Sequence, residues 1–299
     1  MLSVLIPTYN QDCSELVEKL TQQGGELEEG FELIVGDDAS SDVRVLEALD
    51  RLALLPAVRV IHNVSNVGRA KGRNLLAREA VGDVLLFIDS DAMVPPEFSL
   101  KRYLDAIREA DVVCGGLRHP DVNPCPQATL RFKYEKEADK QRMAETRNLH
   151  PCQQISTFSL MVRKDLFLGI LFDEQCTDYG YEDTLFGAEL EKRGAKVLHI
   201  DNPLIHTGLE PNDVFLDKTE RALRTLKRLE PLMASHSRLL QTVHKLRRCH
   251  IAWLVSAVYR LFRPLLRRNL LGRNPSLKAF AFYKLGYFLT LKPYKNTES

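Results

Sequence analysis

Short apolar runs bounded by polar clusters alternate with stretches of helical spacing through the first hundred residues. Leu2 to Pro7, Phe31 to Gly36, Val58 to His62 and Val84 to Ile88 read as strands, separated by helices over Ser14 to Gln23, Asp42 to Leu52 and Lys71 to Ala80. This alternation predicts an α/β fold, a mostly parallel sheet flanked by helices. Further along, Val112 to Gly116 reads as strand and turn, Gln127 to Arg147 as a long charged helix or a mobile loop, and Phe158 to Val162 as a strand. A helix over Glu182 to Arg193 and a short strand over Lys196 to Ile200 follow.

The carboxyl ends of the first four strands are unusually polar: Thr8-Tyr9-Asn10, Asp37-Asp38-Ala39-Ser40, His62-Asn63 and Asp89-Ser90-Asp91. Ligands of open α/β sheets bind at such ends. One acidic end is explained by helix capping, since Asp and Ser are favoured N-caps; four converging ends point to a site.

Composition excludes little, but charge changes the picture. The chain of 299 residues has a formal charge of +1, made of 28 Lys+Arg against 39 Asp+Glu over residues 1–233 and 13 against 1 over 234–299. Such a basic block reports on partners rather than on fold. The six cysteines form no C-x-x-C pair, which argues against a zinc cluster or a dense disulfide framework and for a reducing compartment. The apolar start Val4-Leu5-Ile6 lacks the layout of a signal peptide. No segment reaches the roughly 18 consecutive apolar residues of a spanning helix. The expected location is cytoplasmic, with peripheral attachment to the cytoplasmic face of a membrane as an option.

"VLLFIDSDAMV" at 84–94 runs a buried strand into two carboxylates, which would repel one another and raise their own pKa unless a cation sits there. A hard divalent ion bound to a diphosphate would remove that conflict; a capped turn is the plain alternative. "VLIPTYN" at the start, "ELIVGDDASSD" at 32–42, "NVGRAKGRN" at 66–74, "FIDSDAMV" at 87–94 and "YGYEDTLFGAELEKRGAKVLHI" at 179–200 occur in this order. Together they resemble the family 2 glycosyltransferases, inverting enzymes of the GT-A fold that use nucleotide-diphospho sugars. The resemblance spans roughly residues 1–210.

The resemblance implies a Rossmann-like GT-A catalytic domain over about residues 1–230, followed by a basic helical extension over 231–299. It implies that Pro7, Thr8 and Tyr9 wall the nucleobase pocket and that Asp38, assisted by Asp37, accepts a hydrogen bond from a uracil-type ring. Asn66 and Arg69 would lie near the nucleotide, with Lys71 and Arg73 in the same basic loop, whose opening of a helix favours an anion. Asp91 would bind Mn²⁺ or Mg²⁺ directly, Asp89 would contact metal or ribose, and His206 would complete the coordination. Asp183 would be the general base, with Glu182 binding the acceptor or tuning Asp183 and Tyr181, like Tyr179, stacking on a sugar. Plain readings stand beside these: Tyr9 as a packed aromatic, a solvated basic helix start, a structural His206, and acids that suit a helix dipole.

The predicted partners are a nucleotide-sugar donor, a glycan or lipid-linked acceptor and, through the tail, an anionic membrane surface. Arg260, Arg263 and Arg267 share one stripe of a helix whose other faces carry Trp253, Leu254, Val258, Leu261, Phe262 and Leu265, with Pro264 expected to kink or interrupt it. A second segment, with Phe280, Phe282, Tyr283, Tyr287 and Phe288 among Lys278, Lys284, Lys292 and Lys295, repeats that composition. The alternative is that both helices pack on the body and complete its core. No recognised nucleic-acid module accompanies the charge. Rival readings are a nucleotidyltransferase, disfavoured because "PTYNQD" lacks a glycine-rich phosphate loop, and a non-catalytic nucleotide-sugar-binding protein, disfavoured by the presence of all four acids.

Overall fold

The computed structural model describes residues 1–174, 180–233 and 237–292. Two compact units emerge: Met1–Pro120 with Ala138–Thr177 and Glu182–Gly208, and Asp121–Glu137 with Asp178–Tyr181 and Leu209–Ser299.

The first unit opens with the predicted alternation: β1 (Leu2–Thr8), α1 (Ser14–Gly24), β2 (Phe31–Asp37), α2 (Val43–Leu52), β3 (Val58–His62), α3 (Arg69–Glu79) and β4 (Val84–Ile88). It continues through β5 (Ala92–Met93), α4 (Leu100–Ile107), β6 (Val112–Cys114) and β7 (Leu117–Arg118). Beyond α5 (Thr129–Asp139) come α6 (Ala144–Arg147), β8 (Ser159–Arg163), α7 (Lys164–Ile170), α8 (Glu182–Lys192), β9 (Val197–His199) and β10 (Leu204–His206). The segment 127–147 is therefore two helices rather than one.

Seven strands form one sheet in the order β3-β2-β1-β4-β8-β6-β9, in which only β8 runs antiparallel to its neighbours. Near-continuous apolar runs suit strands covered on both faces: Leu2, Val4, Ile6, Leu33, Val35 and Leu86 pack into one core and Leu5, Ile34, Leu85 and Phe87 into the other. A small sheet, β5-β10-β7, stands beside the end of β4.

The second unit contains most of α5, then α9 (Asn212–Arg228), α10 (Glu230–Met233), α11 (Arg238–Arg248), α12 (Ala252–Leu270) and α13 (Leu277–Thr290). Its core joins Leu130, Leu216, Tyr259, Leu270, Phe280 and Tyr283. Both tail segments differ from expectation. Pro264 does not interrupt α12. Arg267 and, more loosely, Arg263 pair with Glu220 of α9, at 3.2 and 4.0 Å, while Trp253, Leu261 and Leu265 face solvent. In α13, Phe280, Tyr283 and Phe288 are core residues, as the packing alternative required. Lys295 lies outside the described residues. No described helix is long and apolar enough to cross a membrane.

Candidate active site

The order β3-β2-β1-β4, all parallel, brings the four polar strand ends to one edge of the sheet. At the end of β1, buried Thr8 donates to the Gln11 carbonyl (2.8 Å), half-buried Pro7 precedes it, and Tyr9 is 52% exposed. An exposed Tyr9 is free to meet a flat ligand and is no core aromatic. Asn10 takes a positive φ of 50°, and its Oδ1 accepts the Ser41 and Asp42 amides at 2.8 and 2.9 Å. That ties the loop after β1 to the start of α2, whose N-cap is Asp42.

The paired acids after β2 divide their work. Asp37 is buried, accepting from the Ser40 amide (3.0 Å) and His62 Nδ1 (2.9 Å). Asp38 Oδ1 accepts from Asn63 Nδ2 and the Val67 amide, and Oδ2 from the Gly68 amide, at 3.0, 2.8 and 3.0 Å. A carboxylate accepts about four hydrogen bonds, so Oδ2 retains capacity for a further donor. Asp38 also shapes the loop carrying exposed Asn66 and Arg69, in which Gly68, at φ 84°, caps α3.

α3 then supplies two buried polar residues. Asn74 clasps Phe172 through both its amide and carbonyl (2.9 Å each). Arg73, 2% exposed, is hydrogen-bonded through Nη2 to Asp89 Oδ1. Asp89 is thus neutralised by this protein's own cation. Asp183, in the first turn of α8, accepts the Thr157 amide through Oδ2 (3.1 Å), while Oδ1 is shielded from solvent with no hydrogen-bond partner among the described residues. Burial, then the charge of buried Glu182, push its carboxyl up to about 7, against an opposing pull from Arg73 and the Thr157 amide and with a further push from Asp89. Arg73, Asp89, Glu182 and Asp183 therefore form one electrostatic cluster.

Asp91 meets a different element. The β5–β10 register sets His206 opposite Ala92, and His206 Nε2 stands 3.0 Å from Asp91 Oδ2. The Thr207 amide and hydroxyl both donate to the Asp91 carbonyl (3.0 and 2.7 Å). Gly208 makes room: a Cβ there would stand 2.0 Å from Asp91 Oδ2. On the far side, His206 Nδ1 is 3.2 Å from Nε2 of buried His119, whose Nδ1 lies 3.0 Å from Asp139 Oδ1. A lone histidine and a distant aspartate carry no sequence signal, so this chain was not legible beforehand.

A carboxylate oxygen beside an imidazole nitrogen, with space kept by a glycine, fits a divalent ion that takes its remaining ligands from phosphate and water. Among the described residues no group of three or more His, Cys, Asp or Glu side chains forms an all-protein cage. Tyr181 belongs to the second unit, at φ 76°, where burial and then Tyr134 push its phenol up to about 12. Tyr179 lies outside the described residues.

The model of the family Glycosyl transferase family 2 matches residues 3–167. The chain belongs to this family. Pro7, Thr8, Tyr9, Asp37, Asp38, Arg73, Asp89 and Asp91 lie inside the matched family 2 span; Glu182, Asp183 and His206 lie beyond it. An uncharacterized glycosyltransferase of Haemophilus influenzae is 31% identical over 173 residues, 57% of this chain and 55% of that protein. A dolichol-phosphate mannosyltransferase of Pyrococcus furiosus is 32% identical over 120 residues, 40% of this chain and 33% of that one. The chain thus spans about half or less of the length of these relatives. Among solved structures, the mannosyltransferase PcManGT of Pyrobaculum calidifontis, in complex with GDP-Man and Mn²⁺, is similar with a TM-score of 0.59 at 16% identity, over 96% of this chain and 84% of that one. TarS of Staphylococcus aureus gives 0.53 at 22%, over 96% and 54%. At these identities the likeness shows the fold, and the GT-A class predicted for this family 2 member holds.

Proposed function

We propose that this chain is an inverting glycosyltransferase that moves a sugar from a nucleotide-diphospho sugar, of the UDP type, to a hydroxyl of a glycan or lipid-linked acceptor. The observation carrying this reading is Asp183: a shielded carboxylate whose Oδ1 has no hydrogen-bond partner among the described residues and whose pKa is pushed up to about 7. A general base works best with a pKa near the operating pH, and in this reading Oδ1 takes the proton of the acceptor hydroxyl as that oxygen attacks the anomeric carbon from the face opposite the diphosphate. The Thr157 amide fixes the other oxygen, and Glu182 and Arg73 tune the carboxyl from opposite directions.

Asp91 and His206 would hold Mn²⁺ or Mg²⁺, which when bound supplies positive charge beside the leaving diphosphate. Asp38 keeps a lone pair for a nucleobase N–H, exposed Tyr9 is placed to stack, and Asn66 and Arg69 open the α3 N-terminus towards phosphate. Two comparisons support a nucleotide sugar: PcManGT was solved with GDP-Man, and a TarS fragment with UDP. The preference for UDP rests on Asp38. Nucleotide-sugar screening by thermal shift, with and without Mn²⁺, followed by product analysis with Asp183→Asn as control, tests the reading. Full transfer by a folded Asp183→Asn protein would remove Asp183 from the role.

The same reading seats the chain on an anionic membrane surface through α12. Trp253 (70% exposed), Leu254, Val258, Leu261 (73%), Phe262 and Leu265 (61%) are exposed in successive turns of this helix, with exposed Arg260 and Arg268 beside them. An apolar stripe rimmed by cations is what the headgroup boundary binds, and it supports a lipid-linked acceptor.

A further inference from the structure

Within the first unit, a cavity of about 210 Å³ opens between the turn joining β6 to β7 and the segment 153–159. β8 runs antiparallel to β4 and β6, so Ser159 at its start stands opposite Ile88, and Leu160 opposite Cys114. The cavity therefore lies at the same sheet edge as Asp89 and Asp91, two strand spacings beyond β4, or about 10 Å. The Asp89 amide donates to the carbonyl of Phe158, a residue of the cavity wall (3.3 Å).

Three further observations tie this cavity to Asp183. Thr157, whose amide holds Asp183 Oδ2, sits between the wall residues Ser156 and Phe158. α8, which carries Asp183, packs on the turn Pro151–Gln154 through Gly187, where a Cβ would stand 2.1 Å from the Cys152 carbonyl. Burial pushes the thiol of Cys114, in the wall, up to about 12, against pulls from Arg147 and the Ser156 backbone and with a further push from Asp183. In an inverting displacement the acceptor oxygen enters opposite the departing diphosphate. With the nucleotide towards β1 and β2 and the diphosphate at Asp91, the opposite side is that of β8 and β6.

The wall decides the class of occupant. Buried Arg147 donates to the Cys114 carbonyl (3.2 Å), His199 Nδ1 (2.7 Å) and the Ile200 carbonyl (2.8 Å), and Arg142 donates to Asp139 Oδ1 (2.7 Å). Both cations of the wall are thus engaged by acceptors of the protein. Gln153, Gln154 and Ser156 add neutral groups that donate and accept, as sugar hydroxyls do, while Ile155 and Phe158 supply an apolar surface for a ring's C–H face. The volume falls below the roughly 300–1,000 Å³ of a drug-sized ligand's site, which suits one sugar ring rather than a chain of them.

We propose that this cavity seats the terminal sugar ring of the acceptor, with Gln153 and Gln154 as specificity-determining residues, so that the group glycosylated is a sugar hydroxyl and not a lipid phosphate. The hydroxyl oxygen bonds to the anomeric carbon, its proton passes to Asp183 Oδ1, and the nucleoside diphosphate leaves with the electron pair of the broken bond. This inference rests on the glycosyl-transfer reading above and names its acceptor class.

The test uses the full chain with Mn²⁺ and UDP, probed by saturation-transfer NMR with a panel of methyl hexopyranosides, and by transfer assays with the same panel and with farnesyl phosphate. At least one pyranoside should bind and accept sugar. In Gln153→Ala/Gln154→Ala its dissociation constant should rise about 5–100-fold, with Tm and the affinity for the UDP-sugar selected by the thermal-shift screen nearly unchanged. Wild-type protein that binds no pyranoside, a double variant that binds it equally well, or transfer to farnesyl phosphate alone overturns the inference while leaving glycosyl transfer standing. A double variant that keeps UDP but loses the UDP-sugar overturns it too, by giving the cavity to the donor. Wild-type protein that binds no nucleotide sugar overturns both readings.

Discussion

The Thr157 amide donates to one oxygen of Asp183, and among the described residues no group hydrogen-bonds to the other. A carboxylate oxygen shielded from solvent and left unpaired is costly in a structural position, and desolvation followed by the Glu182 charge lifts the Asp183 pKa from 3.8 to about 7. Two consequences follow, one for rate and one for stability. Because the base must be ionised, transfer should rise with pH to a plateau above about 7, and Asp183→Asn should lower kcat by about 10²–10⁴-fold while donor affinity holds. The folded state binds the proton more tightly than the unfolded chain, so Asp183 favours folding fully below about pH 4 and loses that contribution as pH rises through about 7. Asp183→Asn should therefore raise Tm at pH 8, by the equivalent of at least about 1.4 kcal/mol, and not at pH 4. Melting curves at the two pH values check this.

Arg73 neutralises Asp89 and pulls the Asp183 carboxyl downward. Arg73→Met should shift the acid limb of the rate profile to higher pH. Leaving Asp89 without its cation should also cost about 3–5 kcal/mol, read by urea denaturation. An unmoved acid limb would uncouple Arg73 from the base.

Gly208 lies against the Asp91 carboxylate, where a Cβ would meet Oδ2 at 2.0 Å. Gly208→Ala must displace that carboxylate or the strand bearing it, at about 1–3 kcal/mol. Mn²⁺ affinity should fall at least about tenfold while metal-free nucleotide binding stays the same; calorimetry with and without Mn²⁺ separates the two.

On α12, replacing Trp253, Leu261 and Leu265 together by Ser should abolish sedimentation with anionic liposomes at low salt. Since all three are more than 60% exposed, Tm should change little. A triple variant that sediments like wild type would dismiss this face as the membrane contact.

The boundaries of the four strands and three helices predicted over the first ninety residues were readable to within about two residues, because β1, β2 and β4 are buried along nearly their whole length and each predicted strand is bounded by polar residues. The family was legible for a related reason: most of its motifs sit where a strand ends or a helix begins, and these boundaries are local in the chain. The tail was legible only in part. Its arginine stripe and aromatic segment had the composition of a membrane-facing pair, yet Glu220 on α9 pairs with Arg263 and Arg267 and Phe280, Tyr283 and Phe288 of α13 are buried, and a pattern of residue types does not say which side of a helix meets a neighbour.

The amino-acid order alone determined the α/β alternation, the acidic strand ends and the set of candidate site residues, since these depend on local periodicity and on the types of side chain present. Tertiary structure alone decided their partners. Asp89 meets Arg73 across 16 residues and Asp91 meets His206 across 115, and no spacing rule reaches that far. Burial decided the rest: the same carboxyl group is an ordinary acid in water and a candidate base in Asp183, because desolvation acts on a place in the fold and not on a letter in the chain.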